Sequence, residues 1–424
     1  MMVCYNGLKE GVNMKKCGVL LLILILVGCS INPTSQSFTT VEPSDNVDGL
    51  STLEIHPALT NSMWEFTEKT KSLILTDENE VYSPVSLYSA LTLLIPAAKQ
   101  ESKENLLSAL ALENPEHLTN FFKQHNILSD EFSSLLTNSI WYGTQEEFSQ
   151  SIEAELSEDY IVSVHQADFS KEQETSNLIK EFIDNRTNGF IKDLEVKVSS
   201  DNSLMLLNTL YLKDLWSQEL FMDTTINFTT PTNETIQVDG SKTVKENGNY
   251  FEDEQAQLFY YSLKNTGGVL FIKPTQDLNS YFDEVNLVDV YSKLETTLEN
   301  NHYDVTFEMP YTDISSRFEK INDFLKPLGF EEILSTTNPQ FSYLENGTPQ
   351  FVSDIIQQAR MVVDNKGVEA AAFTQVDVVT TSAPPMENEK VDFILDKPYL
   401  MIVLDAYQNP LFISSVLNPN QSAQ

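Results

Sequence analysis

The stretch Gly367–Thr381, GVEAAAFTQVDVVTT, alternates in a way that suits one kind of secondary structure. From Val368, every second residue is small or β-branched: Val368, Ala370, Ala372, Thr374, Val376, Val378 and Thr380. The residues between them, Glu369, Ala371, Phe373, Gln375, Asp377 and Val379, are mostly polar or tolerant of exposure. A period of two sends the two sets to opposite faces of a strand, so the first can enter a packed sheet. Yet a glycine opens the run and Pro384-Pro385 follows it, and both are loop punctuation. A segment written for a sheet but bounded like an exposed loop suggests a switch between two states. The plainer alternative is an ordinary strand followed by a proline-rich turn.

The chain has 424 residues, enough for two or three ordinary domains or one large one. From about Ile55 onward, helical and strand patterns interleave without a linker, which favours one large domain. Leu59, Met63, Phe66 and Leu73 are spaced for one face of a helix over Leu59–Leu75. Ser83-Pro84-Val85-Ser86 reads as a turn into a second helix that continues through Leu87–Ile95. Leu204–Leu212 is nearly all apolar and predicts a strand covered on both faces. Val269–Ile272, Val305–Met309 and Val352–Val363 are further strands. Leu400–Leu404 and Leu411–Leu417 flank Asn409-Pro410 and predict a terminal hairpin. Without regular βαβ alternation, the fold class is α+β with mostly antiparallel sheets.

The N-terminus reads as a targeting segment. Lys15-Lys16 precede the apolar run Val19–Val27, which fits a signal-peptide core and is too short to span a bilayer. Leu26-Val27-Gly28-Cys29-Ser30 looks like a bacterial lipobox, in which the cysteine is acylated and the chain is cut before it. Met14 is a plausible start, with residues 1–13 an extension. The cysteines are Cys4, Cys17 and Cys29, so cleavage leaves only the lipid-bearing one and excludes a disulfide framework or a thiolate metal site. A chance cysteine in a plain secretion signal is the alternative. Lipid chains on Cys29 would carry the anchoring. Ser30–Thr52, rich in Ser, Thr, Pro, Asn and Asp, suits a flexible tether. The expected location is the cell envelope, facing periplasm or exterior; Ser30 is not the aspartate that some Gram-negative envelopes use for retention.

The net charge of −36 argues against nucleic acid, whose phosphates need a basic face. It also argues against docking on anionic lipid or a sulfated polysaccharide; most carboxylates are read as a solvated surface. Catalytic signatures are absent: no GxSxG, HExxH, GxxxxGK[ST] or GxGxxG occurs. The five histidines, His56, His117, His125, His165 and His302, have no ligand or triad spacing and are read as surface or core residues. No enzyme activity, cofactor or metal is expected.

The hinge-like GVEAAA of Gly367–Ala372 is joined, in order along the chain, by Ser83-Pro84-Val85-Ser86, Asn138-Ser139-Ile140-Trp141, and Thr187-Asn188-Gly189-Phe190-Ile191 with Asp193-Leu194. Asn208-Thr209-Leu210-Tyr211-Leu212-Lys213 with Trp216 follows, then Lys397-Pro398-Tyr399-Leu400, Pro410-Leu411-Phe412 and Asn418-Pro419. Together these motifs resemble the serpins, the serine-protease-inhibitor family. The strand motif NxxYFKxxW, matched from Asn208 to Trp216, is the most distinctive. Asn138–Trp141 resembles the start of a central-sheet strand, and Thr187–Ile191 the end of a helix.

The resemblance implies three β-sheets and eight or nine helices in one domain, here 53–424, after a signal peptide at 1–28 and a lipidated tether at 29–52. It implies suicide inhibition of a serine protease through an exposed reactive loop. The target attacks the loop, forms a covalent acyl complex, and is trapped when the cut loop enters the central sheet as a strand. Family spacing from Gly367 places the reactive bond at Thr381–Ser382, with Thr380–Thr381 the nearest alternative. The hinge is Gly367, Val368, Glu369, Ala370, Ala371 and Ala372. Ser83, Ser86, Asn208, Trp216 and Gln357 fall in the region where the sheet opens. A run from Gly367 to Thr381 spans roughly 45 Å at about 3.3 Å per residue, enough to cross a large sheet. No charge or proline lies on its inward set. Thr381 in a specificity pocket suits elastase-like or subtilisin-like proteases, and no Lys or Arg occurs between Val368 and Glu389.

Some positions depart from the family pattern. Phe373 is bulky, Asp214 and Ser414 replace frequent glycines, and Gln357 stands where many relatives have a histidine that helps hold the sheet closed. Met386–Lys390 lengthens the loop after the bond. The expected state is a monomer. The rival readings are a serpin-fold protein that is cleaved or binds without inhibiting, an inhibitor of cysteine proteases, and an unrecognised envelope enzyme.

Overall fold

Helix formation begins at Pro57, where the missing proline N–H is no loss, and the His56 Nδ1 accepts the Ala58 N–H at 3.2 Å. In the computed structural model the described residues are 38–45, 53–74, 78–130, 132–191, 196–202, 204–220, 222–299, 303–352, 355, 357–368 and 388–421. They belong to the unit Gln36–Gln424; the other unit, Met1–Ser35, lies outside them. The first helix spans Pro57–Thr70 and buries Leu59, Met63 and Phe66; Leu73 falls in a 3-10 turn over Lys71–Ile74, so the regular helix is shorter than its apolar spacing predicts. The second helix, Pro84–Thr92, is buried at every residue and ends before Ile95. With no exposed face, it lies inside the molecule, and its Ser86, Ser89 and Thr92 are buried with the rest.

In chain order the strands are β1 (Phe38–Thr39), β2 (Glu80–Tyr82), β3 (Asn126–Leu128), β4 (Ser133–Gly143), β5 (Val162–Ala167), β6 (Leu204–Leu215), β7 (Met222–Thr229), β8 (Thr235–Glu252) and β9 (Ala256–Ser262). They continue as β10 (Gly268–Pro274), β11 (Tyr303–Pro310), β12 (Thr312–Phe318), β13 (Gln357–Val363), β14 (Gly367–Val368), β15 (Glu389–Ile394), β16 (Tyr399–Leu404) and β17 (Pro410–Val416). The central sheet runs β1-β5-β4-β6-β14-β13-β12, with β3 beside β4. The second network runs β15-β11-β8-β9-β10-β16-β17-β2, with β7 beside β8. The long β8 joins what the resemblance implies are two separate sheets, because it pairs with β11 through one part and with β9 through another. Apart from β4 with β5 and β11 with β15, the ladders are antiparallel. The terminal hairpin β16–β17 forms as its turn signal predicts.

Three expectations are corrected. Asn138–Trp141 lies in the middle of β4, not at its start. Val352 and Ile355 precede β13, which begins only at Gln357. Part of the Ser30–Thr52 stretch is laid against the fold instead of forming free tether: Phe38 and Thr39 pair with His165 and Val164, and Ser44 bridges to Ile127. An open edge of β5 offers unpaired backbone groups, and a polar segment can satisfy them as well as a hydrophobic one.

The two faces of the central sheet have different partners. The helix Glu172–Arg186 covers one face with Ile179 and Ile183, packed with Trp141 of β4 and with half-buried Met205 and Leu207 of β6. The opposite face meets the main core, which includes Leu210 and Leu212 of β6, Ala359, Met361 and Val363 of β13, and Val368 of β14.

Candidate functional site

The site begins at a reversal of the chain after β13. Asp364 occupies the first position of the turn, and its Oδ1 accepts the N–H groups of Lys366 at 2.7 Å and Gly367 at 3.3 Å. Aspartate at the first position and glycine at the fourth is a common turn pattern. The Asp-x-x-Gly spacing that signals it stands in the sequence. The turn sends Gly367 and Val368 back between β13 and β6: Gly367 lies opposite Leu215, and Val368 lies opposite Asp214 on one side and Val363 on the other. Only glycine fits at 367, because a Cβ there would collide with the Asp214 carbonyl oxygen and the Leu215 Cα.

Trp216 secures the turn from the β6 side. Its backbone N–H donates to Lys366 O and its indole N–H to Asp364 O, both at 2.8 Å. Beside it, the fully buried Asp214 carboxylate accepts N–H groups from Leu215 at 2.9 Å, Asn265 at 3.0 Å and Thr266 at 2.8 Å, and the Asn265 side-chain amide at 2.8 Å. These donors favour the ion, but burial outweighs them and pushes its carboxyl up to about 6. A glycine here could not make this clamp on the Asn265–Thr266 turn.

Below Val368 the sheet has a gap in its hydrogen bonding. β14 alone connects β6 to β13, and among the described residues no ladder runs directly between those two strands. With one strand between them, their separation at the top is two strand spacings, roughly 9–10 Å. Both facing edges carry backbone donors and acceptors that another strand could pair.

A polar line crosses beneath this slot. Gln357 of β13 accepts the Ser83 N–H at 3.0 Å and donates to Ser83 O at 2.8 Å. Ser83 Oγ donates to Leu411 O at 2.7 Å and accepts the Ser86 N–H at 3.2 Å, which caps the buried helix. Ser86 Oγ then bonds Asn208 of β6, whose amide bonds Asn138 of β4. Four of the five residues expected at the sheet opening therefore come together: Ser83, Ser86, Asn208 and Gln357. Trp216 does not join them, because it sits at the top with the Asp364–Gly367 turn. Asn138 and Asp214 complete the two groups, and neither was singled out for that role in the sequence.

The start of β15 is held separately. Asn388 donates to Asp304 at 2.8 Å and to Asn247 at 3.0 Å before β15 pairs in parallel with β11. Glu369, Ala370, Ala371, Ala372, Thr381 and Ser382, and the lipobox Cys29, lie outside the described residues.

The fold assembles one triad-like set that spacing could not reveal. His125 contacts Ser134 Oγ through Nδ1 at 2.6 Å and Asp405 Oδ2 through Nε2 at 3.1 Å. All three are at most 2% exposed. Asp405 also holds the backbone N–H groups of Tyr407 and Asn409 in the turn before β17. A nucleophile must meet its substrate, and this serine is sealed inside the core, so the set works as a structural bolt. Among the described residues, no group of three metal-ligating side chains gathers and no helix is long and apolar enough to cross a membrane.

A family model for serpins, described as serine protease inhibitors, matches residues 62–419. The chain belongs to the serpin family. It is similar to alpha-1-antichymotrypsin of Pongo abelii, 26% identical over 89% of this chain and 92% of that protein. It is also similar to a corticosteroid-binding globulin of Ovis aries, 24% identical over 95% of each. Among solved structures, the thermophilic serpin tengpin in its native state superposes with a TM-score of 0.72 at 20% identity, over 89% of this chain and 100% of that one. The serpin fold accounts for the sheet order around the slot, whereas the Asp214 clamp and the Gln357–Ser83 pair are read from this chain's own contacts.

Proposed function

We propose that this serpin inhibits serine proteases by suicide-substrate trapping. The observation that supports the reading most directly is the seating of Gly367–Val368 as a two-residue strand between β6 and β13, which among the described residues no ladder joins directly. The protease serine Oγ attacks the Thr381 carbonyl carbon, an ester forms, and the Thr381–Ser382 bond breaks with Ser382 leaving as an amine. Cleavage frees the segment after Val368 to continue down the slot, where successive residues bond alternately to β6 and β13. That gain competes with hydrolysis of the ester. The small uncharged Thr381 favours elastase-like or subtilisin-like targets. Acylation of Cys29 would hold the inhibitor at the cell envelope.

The test is to mix the protein with an elastase and separate the products on a denaturing gel. A covalent band resistant to SDS is expected, and it should vanish in Val368→Arg while cleavage persists. Arginine at a position 2% exposed, facing the main core, cannot be seated without burying a charge. Cleavage without the band, together with no rise in melting temperature of the cut form, would refute trapping. It would favour a second reading, a serpin that binds or is cleaved without inhibiting; the similarity to proteins named corticosteroid-binding globulin motivates it.

A further inference from the structure

One aromatic side chain spans the slot. Phe190, in the connection after the helix Glu172–Arg186, has its ring 5.6 Å from the Tyr211 ring of β6 and 4.8 Å from the Arg360 guanidinium of β13. Arg360 also donates to Phe190 O at 3.2 Å. Its remaining nitrogens form a two-point pair with Asp313 of β12, at 2.9 and 2.8 Å, so it cannot swing away freely. Thr187 caps the helix, and Asn188 and Gly189 take positive φ values of 51° and 72°, which turns Phe190 back onto the sheet. The clasp therefore rests on two strands that, among the described residues, no ladder joins directly.

Register says what would pass beneath it. Asp214, Val368 and Val363 share a rung. β6 and β13 both run antiparallel to β14, so three steps down each bank lie Tyr211 and Arg360, and three steps along the incoming strand lies residue 371. Odd-numbered residues of β6 such as Met205 and Leu207 face the helix. Even-numbered ones such as Leu210 and Leu212 face the main core. An incoming strand in this register turns Ala371 toward Phe190, and Ala370 and Ala372 toward the core.

We propose that the Phe190–Arg360 clasp is a size filter on the inserting strand, admitting a methyl group at position 371 and excluding larger side chains. Phe190 is a positioning residue, since it touches the strand and not the scissile bond. The inference rests on loop insertion itself, and its occupant is the segment Glu369–Thr381, continuous with the seated β14. Three steps further down, the rung of Asn208 and Gln357 takes position 374, where Thr374 offers a hydroxyl to the polar line.

The experiment compares wild type with Ala371→Phe, Phe190→Ala, the double variant, and Ala370→Phe with and without Phe190→Ala. Melting of each uncut protein confirms folding. Loop cleavage then reports insertion as a rise in melting temperature, and titration against elastase reports moles of inhibitor consumed per protease blocked. Ala371→Phe should slow insertion by roughly ten- to a hundredfold, comparable to overpacking a closed site, and Phe190→Ala should restore it. Ala370→Phe should be impaired and not rescued, because it faces the core. Normal insertion by Ala371→Phe, or no rescue in the double variant, overturns the filter. If cleaved wild type gains no thermal stability, insertion fails altogether and the filter falls with it, a result separable from the other two.

Discussion

Asp214 and His165 bind protons in opposite senses on folding, and their effects can be separated. Burial pushes the Asp214 carboxyl up from 3.8 to about 6. Burial against Trp141 and Phe182, with the Arg186 charge nearby, pulls the His165 imidazole down from 6.5 to about 4. The folded state therefore takes up a proton at Asp214 as pH falls through 6, before the unfolded chain does, and acidification stabilises. At His165 the unfolded chain takes the proton first, near 6.5, and acidification destabilises until the folded imidazole also protonates near 4. Between pH 7 and pH 5, linkage gives a gain of about 1 kcal/mol from Asp214 and a loss of about 2 kcal/mol from His165; His117, held below its ordinary value by burial and by His56 beside it, adds a loss in the same sense, so wild type loses a little stability. Carboxyls held below their usual range by hydrogen bonds or lysines, such as Asp277 and Asp323, titrate below this window. The assay is the urea midpoint of the uncut protein at both pH values. Asp214→Asn should lose more stability on acidification than wild type, His165→Phe should lose less or gain, and the double variant should keep only the loss left by His117. Equal pH slopes in Asp214→Asn and wild type would refute the assignment, whatever the absolute stabilities.

Other perturbations bear on the hinge and the polar line. Gln357→Ala strips both hydrogen bonds from the buried Ser83 backbone, about 1–3 kcal/mol for each group left unpaired, and should lower the melting temperature of the uncut protein. Gly367→Ala should unseat β14, giving a loop that elastase cuts normally but a gel without the covalent band; an undiminished band would show that the seat is dispensable. Ser134→Ala should cost about 1 kcal/mol of stability through the lost contact to His125 while leaving inhibition unchanged, and any loss of an esterase activity would contradict its structural role.

Features that depend on neighbours in sequence were legible from it. The two-residue alternation after Gly367, the Ser83 cap before Pro84, and the Asn409-Pro410 turn are local, because backbone geometry and capping act within a few residues. They located the buried helix and the terminal hairpin, and the ordered motifs placed the chain in its family. What depended on partners was not legible. The closeness of Gln357 to Ser83, the donors gathered by Asp214, and the buried Ser134–His125–Asp405 set join residues far apart in the chain, and spacing carries no trace of them. The attachment of residues 38–45 was missed because a polar segment reads as tether unless an open strand edge is known to await it. Whether β6 and β13 bond to each other or leave a slot was decided only by tertiary structure. A strand edge is satisfied or unsatisfied according to what lies beside it, and the residues on the strand are the same in either case.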